Sequence, residues 1–528
     1  MEASAKSVYT RLEDDREPFL ERARDAASLT IPSLMPRGAT GSMPYQNRGQ
    51  DLSEPYQSVG ARGVNNLASK LLLSLFPVNA KFFRLAVDEG ALQELGAFKQ
   101  AETEVQESLS QIEDTLLDDL EAMGLRIKLY EALRQIVSSG NALIHLPFGN
   151  APRVYRLDSY VVERDPRGNL LKIVVQQHVS PLVLDEKTRS AISATGADVT
   201  PGKTKTVEVF TVVERVINQG EPHWKEWQEV NGKRIGPLVT HEFRRLPYIP
   251  LRMYTTDGEA YGRSHVEQYL PDLRALNALS QALQEGSAAS AKVIMLVNPD
   301  GPTRIRRLAK AKNGEYIPGR EVDVSPLQLN KMADFTVVRQ EMAELKRDLG
   351  FVFMLNSTVQ RQAERVTSEE IRYVAQELED TLGGTFSLLS ADLQMPLVDI
   401  ILGNMQDGGR SPELPEEVRP VVVTGLAAIG RGHDLRRLDE FLHGALQTFG
   451  PEVAQYVNVG IYLQQRATAL GIDTAELIKS QEQLAQEQQQ ANAAKLTSDL
   501  APSLIKANPE GAADVAQQVA EQQMQQTA

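Results

Sequence analysis

The segment VVVTGLAAIGRG, residues 421–432, is where the chain comes closest to phosphate chemistry. Val421, Val422 and Val423 read as a strand, and Gly425 and Gly430 have the G-x-x-x-x-G spacing of a phosphate-cradling loop. Such a loop needs a lysine to reach the phosphates and a hydroxyl to hold magnesium, but Arg431 and Gly432 stand in those places. The segment therefore reads as a glycine-rich turn, with a nucleotide-binding phosphoryl-transfer enzyme as the alternative. The histidines, His145, His178, His223, His241, His265, His433 and His443, are scattered, and none falls in an H-E-x-x-H or other ligand spacing. No G-x-S-x-G nucleophile turn occurs. The absence of cysteine removes disulfides, thiolate nucleophiles and Cys-ligated zinc. Glu369 and Glu370 are better explained as charges at a helix N-terminus than as an acid/base pair. The expectation is a protein with no catalytic residue, no metal and no cofactor.

The clearest local charge feature is TRIRRLAKAK, residues 303–312, with Arg304, Arg306, Arg307, Lys310 and Lys312 and no acid among them. It is either a solvated basic face or a docking surface for an acidic protein or nucleic acid. No aromatic residue interleaves the cations, which argues against stacking on single strands. A second polar stretch, NSTVQRQAER at 356–365, carries Gln360, Arg361, Gln362 and Arg365. On the residues alone, Arg361 and Arg365 either pair with Glu364 or Glu369 and hold the loop, or face a ligand.

The elements that must position these residues are mostly helical. Thr367 and Glu370 form a capping box, with Val366 and Ile371 placed as a hydrophobic staple, so a helix begins there and 356–365 is a loop. SVGARGVNNLASKLLLSLFP, residues 58–77, places Val64, Leu67, Ala68, Leu71, Leu72 and Leu75 on one helical stripe. Arg62, Asn65, Asn66, Ser69 and Lys70 lie off the stripe, and Pro77 ends the run. A spanning helix needs about 20 mostly apolar residues, so this is a core or interface helix, with a peripheral membrane helix as the alternative. Residues 151–255 contain β-branched runs and read as strands. Two long helices then bracket a small mixed insert at about 292–334, and the second carries a heptad-like seam of Val338, Met342, Leu345 and Leu349. The fold class expected is α+β, predominantly helical. Asp plus Glu number 70 and Lys plus Arg 56, a net charge of -14, so the chain does not cling to nucleic acid everywhere. The charged N-terminus lacks the apolar core of a signal peptide, and no membrane insertion is expected.

Residues 58–77, EAYGRSHVEQYLPDLRAL at 259–276, FMLNSTVQRQAERVTSEEIRYVAQELEDTLGG at 353–384 and TGLAAIGRGHDL at 424–435 together resemble the portal, or head-to-tail connector, protein of short-tailed bacteriophages. The resemblance runs in order along most of the chain and weakens after about residue 450. It implies a portal fold assembled as a dodecameric ring. The wing would lie mainly in 1–261, with a β-rich part at about 151–255, and the first stem helix in 262–291. The clip would be 292–334, a small mixed α/β part, the second stem helix 335–355 and the tunnel loop 356–366. A wing return would occupy 367–449, and a helical crown with a Gln/Ala-rich tail 450–528. The role implied is a channel at one capsid vertex through which double-stranded viral DNA is packaged by a separate terminase and later ejected. The partners implied are the terminase large subunit, tail adaptor and tail tube proteins, and scaffolding, major capsid and internal core proteins. The place is the virion, with assembly in the host cytoplasm. Gln360, Arg361, Gln362 and Arg365 would face DNA, Arg304, Arg306, Arg307, Lys310 and Lys312 would dock terminase and adaptors, and the 338–349 seam would pack the stem.

Overall fold

A computed structural model describes residues 4–37, 52–77, 81–87, 99–182, 184, 186–200, 206–218, 220–291, 294–301, 303–318, 320–327, 332–355, 368–412 and 418–422, together with the single positions 442–444, 447 and 462. The chain divides into two compact units, 1–429 and 430–528, and the elements below belong to the first.

Helix α1 (Ala5–Leu29) starts where Ser4 accepts a hydrogen bond from the Ser7 amide on its side-chain oxygen. Its buried Arg16 is tolerated because both terminal guanidinium nitrogens are engaged: Nη1 donates to the Tyr9 hydroxyl and to the carbonyls of Leu157 and Tyr160, and Nη2 pairs with Glu13. Helix α2 (Val59–Leu75) buries Val64, Leu67, Ala68, Leu71 and Leu75, with Leu72 partly covered. Its stripe is therefore spent inside the protein. After strand β1 (Phe83–Val87), α3 (Lys99–Ala122) and α4 (Leu125–Ser139) follow. Gly140 ends α4 in the left-handed conformation, at φ 77°.

The sheets follow the β-branched runs. β2 (Asn141–His145) lies between β3 (Arg153–Tyr155) and β9 (Tyr248–Arg252). β4 (Tyr160–Arg164), β5 (Leu170–Val179), β6 (Val207–Asn218), β7 (Glu221–Val230) and β8 (Lys233–Glu242) form an antiparallel meander, with the short α5 (Glu186–Ser193) between β5 and β6. The pleat explains the unbroken Ile173-Val174-Val175 run, since successive side chains face opposite ways. Val174 packs with Val161, Val212, Tyr9 and Leu12, while Ile173 and Val175 join Tyr160, Val162, Val213 and Trp224. The β7–β8 hairpin turns through Asn231-Gly232 with both φ values positive, the geometry that an Asn-Gly pair favours.

The remaining helices are α6 (His265–Gln268), α7 (Leu270–Ala291), the one-turn α8 (Ile305–Leu308), α9 (Met332–Val352), α10 (Ser368–Leu382) and α11 (Thr385–Asp407). Between α7 and α9, β10 (Ile294–Val297) pairs antiparallel with β11 (Val324–Leu327). α7 and α9 pack on one another, and Gly286 admits the Phe335 ring: an added Cβ would lie 2.8 Å from it. α11 is long and apolar enough to cross a membrane, but Phe386, Leu389, Leu393, Leu397, Val398 and Ile401 are buried in the core. β12 (Val418–Val422) returns to pair with β1.

Candidate functional site

The residues put forward from sequence fall in three places. Gln360, Arg361, Gln362 and Arg365 lie outside the described residues, as do the 425–432 turn and Thr367. The helices on either side of the 356–367 segment are described.

On the insert, the fold is closed by a buried contact. The Thr303 hydroxyl donates to the Asp323 carboxylate at 2.8 Å, and the Arg320 amide donates to Thr303 Oγ1 at 3.2 Å. Gly301 leaves room for that carboxylate, since an added Cβ would sit 2.6 Å from it. Asp323 is thereby turned inward and away from the cations. Arg304, Arg306, Arg307, Lys310 and Lys312 are all exposed, and none forms an ion pair with a carboxylate among the described residues. Ile305, Tyr316 and Val322 are exposed nearby in sequence, Tyr316 at 99% and Val322 at 92%. Five cations without a carboxylate partner among the described residues, on an insert that also exposes apolar groups, can hold an acidic, partly apolar partner.

Along α9 the seam is buried unevenly. Met342 and Leu349 are buried, and Val338 and Leu345 are partly buried against the core that contains Leu273 and Leu276 of α7. The α9 C-terminus is held by two other elements. Asn66 on α2 donates from its amide nitrogen to the carbonyls of Phe353 and Met354, both at 3.0 Å. His265 on α6 reaches the Val352 carbonyl at 3.3 Å through Nε2 and Tyr254 at 2.9 Å through Nδ1. A carbonyl only accepts, so Nε2 carries the proton and Nδ1 accepts from the Tyr254 hydroxyl. Burial lowers the His265 pKa to about 4, so the ring is neutral near pH 7. Ser264 caps α6, its hydroxyl oxygen accepting from the Glu267 amide at 2.9 Å. Gly262 and Asn141 exchange two hydrogen bonds, 2.7 and 2.8 Å, which fixes the GRSH segment to β2. Asn66 and His265 escaped the sequence reading: a lone polar residue off an apolar stripe and a lone histidine carry no spacing signal.

A sequence profile of the family described as "Bacteriophage head to tail connecting protein" matches residues 2–478. The chain is 42% identical over 496 residues to the portal protein of Escherichia phage T7, spanning 93% of this chain and 90% of that one. It is 42% identical over 488 residues to the portal protein of Enterobacteria phage T3, spanning 91% and 89%. Against the portal protein of Enterobacteria phage SP6 it is 31% identical over 511 residues, 95% of each chain. A solved neck of a native GTA particle, computed with C12 symmetry, matches at a TM-score of 0.35 and 13% identity over 79% of this chain and 90% of that one, a likeness too low to carry an argument.

Proposed function

The chain belongs to the bacteriophage head to tail connecting protein family and acts as a portal channel, and on that premise we propose how its parts divide the work. Copies of the chain close into a ring at one capsid vertex, and double-stranded DNA passes through the hole during packaging and ejection. α7 and the part of α9 from residue 335 onward form the stem around the channel, residues 292–334 the clip at its outer end, and residues 356–366 the loop nearest the DNA. The energy for packaging comes from a separate terminase ATPase.

The observation that carries this reading is identity of 42% over nine-tenths of the chain to portal proteins of two phages. Charge supports it. A net charge of -14 per chain keeps DNA from adhering along the channel, because polyanions repel and each neutralised phosphate strengthens binding. Arg361 and Arg365 would then supply a few contacts to the phosphate backbone, which need no base sequence and suit any genome. The exposed Arg304, Arg306, Arg307, Lys310 and Lys312 would dock acidic surfaces of the terminase and, later, of tail adaptors.

Two experiments test this. Electron micrographs of the purified chain should show rings with a central hole, and a monomeric particle would sink the arrangement. Arg361→Ala and Arg365→Ala should form rings and procapsids yet package or hold less DNA. Particles of both variants that hold full-length DNA as well as the parent would remove the loop from the DNA path.

A further inference from the structure

An α-helix leaves its last four carbonyls without intrahelical partners. At the end of α9 every carbonyl from Gly350 to Met354 accepts a bond. Gly350 accepts from the Leu355 amide at 2.7 Å and Phe351 from the Met354 amide at 2.9 Å. That pair is a Schellman turn, which normally has glycine in its left-handed position. Here the position is Met354, at φ 55°. A side chain disfavours that conformation, so it persists only where its surroundings hold it. The holds come from afar in sequence. His265 binds the Val352 carbonyl, and the single Asn66 amide binds the next two. Phe353 is fully buried and fills the space left by Gly63 on α2, where an added Cβ would fall 2.5 Å from the ring. Met354 itself is buried.

We propose that Asn66 and His265 are positioning residues that set the direction in which the chain leaves α9, with Gly63 making room for the ring that locks the turn. The functional consequence rests on the reading of residues 356–366 as the loop nearest the DNA. Stability alone does not ask for two side chains from two elements at one turn, since Phe353 and Met354 already anchor the helix end by burial. The additional contacts fix backbone direction.

The test uses assembled rings of the full chain. Asn66→Ala and Asn66→Asp remove the donors, and Ser69→Ala, an exposed change on the same helix, is the control. Brief trypsin digestion reads cleavage after Arg361 and Arg365 against cleavage after the exposed Arg11 on α1. The expected result is cleavage at Arg361 and Arg365 faster by about fivefold or more in both Asn66 variants, with Arg11 cleavage and the Ser69 control at parental rates. Should the Asn66 variants fail to form rings, Gly63→Ala and His265→Gln reach the same turn from other sides and carry the same expectation. Parental cleavage rates in every variant that forms rings would overturn the proposal. DNA retention in assembled particles separates the two claims. Faster cleavage with poorer retention supports both. Faster cleavage with parental retention supports the positioning role and sinks the DNA-contact reading of 356–366.

Discussion

Lys70 of α2 and Glu377 of α10 form an ion pair at 3.0 Å, and the lysine side chain keeps only 7% of its surface. Lys70 lies off the apolar stripe, where a cation normally means solvent. α10 packs over that face instead and brings the carboxylate with it. Removing the carboxylate takes an anionic partner away from a nearly buried ammonium. Glu377→Ala should therefore cost about 2–3 kcal/mol, less than a fully buried pair because Glu377 retains a quarter of its exposure. Lys70→Met should cost about 1 kcal/mol, since Glu377 can turn to water. Denaturant titrations of both variants check this, and equal costs would mean that losing the anionic partner beside Lys70 is not what matters.

The α9 seam gives a graded expectation. Leu349 is buried and Leu345 only partly so. Leu349→Ala should destabilise by about 2–5 kcal/mol and Leu345→Ala by about 1–2 kcal/mol. A reversed order in thermal melts would place the helix in a different rotation.

His145 stacks on Tyr248, with ring centroids 4.1 Å apart, and its Nδ1 is buried without a hydrogen-bond partner. Tyr155 also stacks with the His145 ring, at 6.2 Å between centroids, and Glu226, Arg153 and His241 set the local field. Burial lowers the His145 pKa to about 4 against an ordinary 6.5. Between those values the unfolded chain binds the proton and the folded one does not, so stability falls as pH falls from 6.5 to 4. His145→Phe keeps the stack and removes the titration. Its melting temperature should equal or exceed the parent's at pH 7, and its advantage should grow towards pH 4.

Asp399 on α11 runs the opposite way. Burial raises its pKa from 3.8 to about 6, partly offset by Arg244 and Arg245. The folded state binds the proton first, so this contribution is present at low pH and lost as pH rises through 6. Asp399→Asn should be more stable than the parent at pH 7–8 by about 1 kcal/mol, allowing for partial exposure. The gain should vanish near pH 4. A gain independent of pH would assign it to packing.

The insert cations make a separate prediction. Arg304, Arg306 and Arg307 face solvent without carboxylate partners among the described residues, so reversing all three to Glu should leave the fold and the ring intact. Binding to a tail adaptor or terminase should weaken, and the gap from the parent should narrow as salt rises, because screening acts on this attraction first. Unchanged adaptor affinity at low salt would remove the docking role.

What was legible in the sequence was what repeats locally. The stripe of α2 and the β-branched strands each announce themselves within a dozen residues, and they are where their periods put them. The Asn231-Gly232 hairpin turn went unread, although that pair enters the positive-φ geometry more easily than other residues do. α11 was harder, since Pro396 lies inside a continuous helix that packing sustains despite the missing amide donor. Lys70 and Asn66 were illegible for one reason. Their roles depend on which distant element covers their face of α2, and no period on α2 encodes that. The left-handed Met354 was hidden in the same way, because its holds come from α2 and α6.

The pairing of β1 with β12 sets a clock on biosynthesis. Phe83 through Val87 find their partners at Val422 through Val418, so β1 is an open edge until more than three hundred further residues have left the ribosome. At ~5–20 residues per second that interval is on the order of half a minute. An unpaired strand exposed for that long is a template for the wrong neighbour.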